Sequence, residues 1–452
     1  MRGGAGGSHQ DTNPGGARMT PFTVGLIAIA LLIVLLFSGM PVGIVMGVVG
    51  FAGLTYLRGL DAGLFLLGSS PFETAYMQSL AAIVLFVLMG ALCAAGGISA
   101  DLYNAAHKWL GHLPGGLAMT TIAACAGFGA VTGSSVAGSA TMGAVALPEM
   151  RRYKYDPGLA TGSVAVGGTL GILIPPSLAF IIYAIITEQS ISKLFIAGIL
   201  PGVLLSILFI ITIYIRCSLN PELAPAGAPF TSLSQRLKSI KSIWPVAALF
   251  LLVIGGLYVG VFSASEGGAM GAFGAIVIGL VQRRLSRKSF LSAIFETTRI
   301  SAFIVLIIIG ATIFGYFMAV STVPLKVARF AAELPVSRYV VLAAILLVYM
   351  FLGCIMEAFS MLFLTLPTFY PVIVVLGFDP IWFGVIMVVT MEMAMITPPV
   401  GLNVYVVSGI AKDVPPETVF AGVWPFCIAI VVFLVLVICF PQIALFLPNL
   451  LS

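Results

Sequence analysis

Gly167-Gly168-Thr169-Leu170-Gly171-Ile172-Leu173-Ile174-Pro175-Pro176-Ser177 has an echo about 224 residues downstream, Met391-Glu392-Met393-Ala394-Met395-Ile396-Thr397-Pro398-Pro399-Val400-Gly401-Leu402-Asn403. Each proline pair stands nineteen residues after an Asp-Pro step, Asp156-Pro157 in one case and Asp379-Pro380 in the other. Beyond the pairs, Ala197, Gly198 and Pro201 are matched by Ala421, Gly422 and Pro425; upstream, Gly43, Met46, Gly47 and Gly50 return as Gly267, Met270, Gly271 and Gly274. A period this long exceeds the solenoid unit of roughly 20 to 50 residues and divides the chain into two halves of one fold.

The medium of that fold follows from composition. Hydrophobic residues make up 60% of the 452 and charged residues 8%, with mean hydropathy +1.16, where a soluble domain carries roughly 25% charged residues. Apolar runs long enough to cross about 30 Å of hydrocarbon lie near 21–37, 39–57, 79–97, 159–186, 194–215, 243–262, 265–282, 299–320, 381–410 and 418–447. Two further stretches, 115–148 and 338–375, are apolar but broken by Gly, Ser and Pro. The reading is an all-α polytopic membrane protein with about ten full spans and two re-entrant hairpins. The net charge of +5 is scattered over short loops, which gives no nucleic-acid footprint. The six cysteines sit in or beside apolar segments without CxxC spacing and read as packing residues. Residues 1–18, polar and glycine-rich, read as a disordered tail.

Loop charge sets orientation. Arg151, Arg152 and Lys154, then Arg216, Arg236, Lys238 and Lys241, then Arg283, Arg284, Arg287 and Lys288 mark three cytoplasmic loops by the positive-inside rule. The repeat mates lack that charge: Val374-Val375-Leu376-Gly377-Phe378 stands where the first half has Arg151-Arg152-Tyr153-Lys154-Tyr155. Matched positions of opposite charge character imply halves of opposite orientation, the mark of alternating-access transporters. The expected division is a first repeat over 19–215, a cytoplasmic linker over 216–242 and a second repeat over 243–452. Each repeat carries scaffold spans, a hairpin (about 115–148; about 338–375) and a broken helix (about 159–186; about 381–410).

Three segments can carry chemistry. Gly129-Ala130-Val131-Thr132-Gly133-Ser134-Ser135-Val136-Ala137-Gly138-Ser139-Ala140-Thr141 is too rich in hydroxyls and glycine for a straight lipid-facing helix; it reads as a hairpin tip, with close packing through small residues as the simpler alternative. The proline pairs free carbonyls from the helical ladder, and freed carbonyls with hydroxyls suit a hard cation. Gly353-Cys354-Ile355-Met356-Glu357-Ala358-Phe359-Ser360 is the second-half counterpart of the first tip. Glu357 and Glu392 are ionisable groups in apolar surroundings, and so either functional or structural carboxylates held by helix N-termini and hydroxyls. His107 and His112 fall in a short amphipathic connection. No GxSxG elbow, Walker A or HExxH motif appears, which speaks against hydrolase, ATP-driven and zinc-catalytic classes.

The strings Gly133-Ser134-Ser135-Val136-Ala137, Gly167 to Ser177 and Ile396 to Asn403 resemble the large membrane subunit of tripartite ATP-independent periplasmic (TRAP) transporters, and the similarity runs from about Met19 to the C-terminus. The resemblance implies a bacterial inner-membrane, elevator-type transporter that takes up an organic acid with sodium ions as coupling ions. It also implies two partners, a small four-helix membrane subunit and a periplasmic substrate-binding protein. Carried over by motif position, one sodium site uses Thr132, Ser135, Gly171, Ile174 and Pro176, and the other Gly353, Ala394, Thr397 and Val400. Family members commonly have Gly at the position of Ala394 and Ser at that of Thr132; both changes keep the ligand type. Ser134, Ser177 and Asn403 are substrate candidates by position alone. The alternative within the same class is a stand-alone sodium- or proton-coupled organic-ion transporter that needs no binding protein.

Overall fold

A computed structural model describes residues 19–225 and 232–450, and every regular element among them is a helix. In the first half, α1 (Pro21–Leu36), α2 (Val42–Arg58), α3 (Leu60–Tyr76), α4 (Gln78–Ala95) and the amphipathic α5 (Ile98–Leu110) lead into a hairpin, α6 (Gly116–Thr132) and α7 (Ser135–Arg152). A broken helix follows, α8 (Pro157–Leu173) and α9 (Leu178–Thr187), bent by 41° at the first proline pair, and α10 (Ile191–Leu219) closes the half. After α11 (Leu233–Ile240), α12 (Trp244–Phe250) passes through a π-helical turn into α13 (Gly256–Tyr258), and then come α14 (Ala264–Val281), α15 (Arg287–Ser321) and α16 (Val323–Glu333). The second hairpin is α17 (Arg338–Gly353) and α18 (Ala358–Val375), and the second broken helix α19 (Pro380–Ala394) and α20 (Leu402–Ala411); α21 (Pro416–Cys439) and α22 (Gln442–Leu450) end the chain's described part.

The two halves repeat helix by helix. α2 corresponds to α14, α5 to α16, the α6–α7 hairpin to α17–α18, α8–α9 to α19–α20, and α10 to α21. Among the described residues, seven helices, or eight with the bent pair α8–α9, are long and apolar enough to cross a bilayer; the hairpin arms α6 and α17 and both parts of the second broken helix are shorter apolar helices. Sequence periodicity missed α3, because Asp61, Ser69, Ser70, Pro71 and Glu73 interrupt its hydropathy. α3 and α4, parted at the extended residue Met77, together occupy the place of the unbroken 35-residue α15. The first hairpin is also longer than its apolar signal, since its second arm runs on to Arg152. The tail at 1–18 and part of the 216–242 linker, residues 226–231, lie outside the described residues.

Contacts between the halves are reciprocal. α2 packs on α15 while its mate α14 packs on α4; α8 packs on α21 while α19 packs on α10; α9 meets α18 while α20 meets α7. Such exchange is what two halves related by a pseudo-two-fold axis produce. Glycine makes the tightest crossings possible: a Cβ on Gly43 would lie 2.6 Å from the Leu306 carbonyl oxygen, and one on Gly162 2.8 Å from that of Gly422. Backbones in direct contact leave no room for a side chain, which explains the small residues at these positions.

The basic loops gather at one end. Arg284 pairs with Asp101 of α5, Arg236 of α11 meets His112 at 3.3 Å, Arg151 at the end of α7 pairs with Asp413 at 2.7 Å, and the Asp156 amide donates to the Leu223 carbonyl at 2.9 Å. All three charged segments thus share one face, and both arms of the first hairpin open toward it.

Candidate functional site

Each hairpin tip lies against a helix break. At the first tip, α6 ends at Thr132, Gly133 adopts φ +63°, and Ser134 starts α7 by accepting a hydrogen bond from the Ala137 amide at 3.4 Å. The left-handed backbone at Gly133 brings the chain so close to the break that a Cβ there would lie 2.6 Å from the Pro176 carbonyl oxygen. The Leu178 amide approaches the Gly133 carbonyl at 3.5 Å. On the other side of the break, a Cβ on Gly171 would lie 2.9 Å from the Ser134 carbonyl oxygen. Thr132, Ser135, Gly171 and Pro176 are therefore brought together, with Ile174, half-buried, directly between the end of α8 and the proline pair.

The second tip repeats this arrangement with different chemistry. Gly353 ends α17 against α19, where a Cβ would meet the Ala394 Cβ at 2.5 Å. The Cys354 thiol and the Thr397 hydroxyl are 3.4 Å apart, and that hydroxyl donates to the Ala394 carbonyl at 3.1 Å. Gly353, Ala394 and Thr397 thus converge. Val400 is 36% exposed, together with Pro398 and Pro399, whereas Pro175 and Pro176 are buried. The first break is closed over by its hairpin; the second is open on one side.

The two junctions touch each other. Ser135, fully buried, turns its hydroxyl to the Met395 sulfur at 3.9 Å, across from one copy of the motif to the other. The Asn403 backbone N–H donates to the Met395 carbonyl at 3.1 Å, which places Asn403 beside the same residue. Both polar atoms of the Asn403 side chain and both carboxyl oxygens of Glu392 are buried without a hydrogen-bond partner. An unpaired buried polar atom costs free energy in a folded protein, and a bound ion, water or ligand is one way to complete it. The donors gathered here are mainly hydroxyl and carbonyl oxygens, a set suited to a hard cation.

The remaining candidates divide between structure and site. Glu357 is a helix cap: its carboxylate accepts from the Ser360 amide and hydroxyl, each at 3.0 Å, at the start of α18. Ser134 holds the equivalent place in the first hairpin, and Ser177 caps α9 through the Phe180 amide at 3.3 Å. Ser134 also lines a small cavity, of about 80 Å³, with Thr132, Thr141, Phe359 and Glu296. Glu296 belongs to α15 and was not legible as a site residue, because its neighbours Arg287, Lys288 and Arg299 give that part of the helix the look of a cytoplasmic surface. The cavity places hairpin 1, hairpin 2 and α15 around one space.

Comparison with known proteins agrees with this architecture. The family model described as "Tripartite ATP-independent periplasmic transporter, DctM component" matches residues 29–443. The C4-dicarboxylate TRAP transporter large permease protein DctM of Pseudomonas aeruginosa is 36% identical over 84% of this chain and 88% of its own length. Its namesake from Rhodobacter capsulatus is 34% identical over 94% of this chain and 99% of its own. The sialic acid TRAP transporter large permease protein SiaM of Vibrio cholerae is 32% identical, covering 92% and 96%. Among solved structures, the Alcanivorax borkumensis YdaH transporter superposes with TM-score 0.64 at 17% identity, covering 93% of this chain and 99% of that one. Neisseria gonorrhoeae MtrF gives 0.62 at 15% identity, covering 95% of each chain. These two likenesses concern the fold alone.

Proposed function

The chain belongs to the DctM family of TRAP transporter large permeases, multi-pass proteins of the bacterial inner membrane, and from that premise we propose that it carries out sodium-coupled uptake of an organic acid delivered by a periplasmic substrate-binding protein. The observation that carries the proposal is the meeting of two hairpin tips and two helix breaks through Ser135 and Met395. In this reading Thr132, Ser135, Gly171, Ile174 and Pro176 hold one sodium ion, and Gly353, Ala394, Thr397 and Val400 the other, mostly through backbone carbonyls. Asn403, with its unpaired amide, is the best placed of the three substrate candidates. Ser134 and Ser177 serve first as helix caps.

The proposed cycle is of the elevator type. The binding protein releases its acid to the permease, assisted by the small four-helix subunit; sodium ions order the tips around the acid; and the body formed by hairpins and broken helices carries them inward past the scaffold. Each net positive charge that moves inward gains about 2.3 kcal/mol per 100 mV, so two uncompensated charges support roughly three decades of accumulation. Support for a carboxylate comes from the helix N-termini of α7, α9, α18 and α20, which all begin at the junctions.

The test is uptake of a C4-dicarboxylate, a sialic acid or another organic acid into proteoliposomes holding the chain and its small subunit, with the purified binding protein outside. Uptake should need both the binding protein and sodium. Unchanged rates after replacing sodium by potassium would refute the coupling, and equal rates without the binding protein would favour the stand-alone alternative.

A further inference from the structure

A second cavity, of about 620 Å³, lies far from the tips, at the face where the basic loops gather. It sits between α7, the start of α8 and the end of α20. Leu147, Tyr155 and Ile410 are among its apolar walls, and Arg151, Arg152 and Asp413 stand at its mouth. Arg151 is exposed and engaged by Asp413 at 2.7 Å; Arg152 is exposed with its guanidinium 6.0 Å from the Tyr153 ring centre.

The repeat offers a comparison for the Arg151–Asp413 pair at this seam. The mates of Arg151 and Arg152 are Val374 and Val375, both exposed, and the mated seam between α9 and α18 is closed by a neutral contact, the Gln189 amide to the Tyr370 hydroxyl at 3.0 Å. The mated seam is thus joined by a neutral contact where this one carries the Arg151–Asp413 pair. A cavity with apolar walls and two exposed arginines, at the end of the molecule where the basic loops gather, suits an anionic phospholipid: acyl carbons inside, phosphate at the guanidinium groups.

We propose that this cavity is a binding site for an anionic phospholipid of the inner leaflet, held by Arg151 and Arg152, with Asp413 as the internal competitor for Arg151. The phosphate takes the place of a carboxylate already matched in charge and geometry, so the site switches between an internal ion pair and a lipid-bound state. When lipid is bound, α7 and α20 are no longer tied by the Arg151–Asp413 pair, so the lipid state of the leaflet acts on a seam between the two repeats. The proposal rests on the inner-membrane orientation and is independent of sodium coupling.

The experiment uses the full chain in mild detergent, titrated with short-chain phosphatidylglycerol, short-chain phosphatidylcholine or inorganic phosphate and read by native mass spectrometry. Phosphatidylglycerol should bind about tenfold or more tighter than phosphatidylcholine. Arg151→Gln and Arg152→Gln should each weaken it about fivefold, the equivalent of about 1 kcal/mol. Asp413→Asn should tighten it by a similar factor, an effect opposite in sign that misfolding cannot imitate. Arginine variants that retain full preference for phosphatidylglycerol overturn the site. Displacement of phosphatidylglycerol by an equal concentration of inorganic phosphate overturns the lipid in favour of a free anion.

Discussion

Replacing Gly133 by Ala tests the first junction at its narrowest point. Two separable penalties apply. An L-residue held at φ +63° costs roughly 1–2 kcal/mol relative to glycine. The added Cβ would also lie 2.6 Å from the Pro176 carbonyl oxygen; reaching ordinary contact requires the tip and the break to separate by roughly 1 Å. A hard cation of this kind holds its oxygens at roughly 2.3–2.6 Å, so a displacement of that size removes a ligand. Gly39 isolates the first penalty, since it has φ +78° and nothing within 4 Å of an added Cβ. Both variants should lose comparable backbone stability, visible as a few degrees in a thermal-shift assay. Gly133→Ala alone should raise the sodium concentration for half-maximal uptake by tenfold or more, whereas Gly39→Ala should leave it within about twofold. Equal sodium dependence in the two variants would falsify the placement of an ion between this tip and this break.

Gly422→Ala would drive a Cβ into the Gly158 carbonyl oxygen, backbone that cannot step aside, and should cost at least about 3 kcal/mol, whereas Gly409→Ala, facing open space in α20, should stabilise by up to about 1 kcal/mol; thermal unfolding of the two variants checks the sign of each. Glu357→Gln keeps an acceptor for the Ser360 amide and should transport normally, while Glu357→Ala should lose about 1 kcal/mol of stability; severe loss of uptake in the Gln variant would give the charge a role in transport. Ser135→Ala and Thr397→Val, alone and combined, should be non-additive in sodium-induced thermal stabilisation by about 0.5 kcal/mol or more, because Ser135 of one junction touches Met395 of the other; additivity within roughly 0.3 kcal/mol would make the two ion sites independent.

The repeat was legible because its marks are covalent or compositional. Proline pairs, Asp-Pro starts and glycine crossings impose backbone consequences wherever they fall, so Asp156 and Asp379 cap α8 and α19, and Gly43 meets α15, as the spacing demands. Hydropathy was a weaker guide. It lost α3, whose Ser70 and Thr74 are buried against neighbours rather than facing lipid, and its apolar run at 299–320 left Glu296 outside. The contact between Ser135 and Met395 had no signature at all, since residues 260 apart are joined only by the way the hairpins fold back. Periodicity reports which face of a helix is apolar; it does not report which remote tip that face will meet.

The two copies of the motif have the same frame and unequal contents, and the inequality falls where the function needs it. Frame positions are shared: a capping aspartate and proline at the start, a break at the proline pair, a glycine where tip and break press together. Contents differ, with Ser134 against Glu357 as the hairpin cap, a buried proline pair against an exposed one, and neutral Gln189–Tyr370 against charged Arg151–Asp413 at the outer seams. In the proposed transport cycle, symmetry in the frame makes two inverted states nearly equal in packing, which is the condition for alternating exposure. A perfectly symmetric pair would also give both faces the same gate and the same affinity, and no ligand can shift an equilibrium between states it contacts equally. In the proposed cycle the ion gradient and the membrane potential set direction; the residues that break the symmetry, at the junctions and at the cytoplasmic seam, set the relative populations and affinities of the two states, while the glycine crossings that define the frame hold the halves in register.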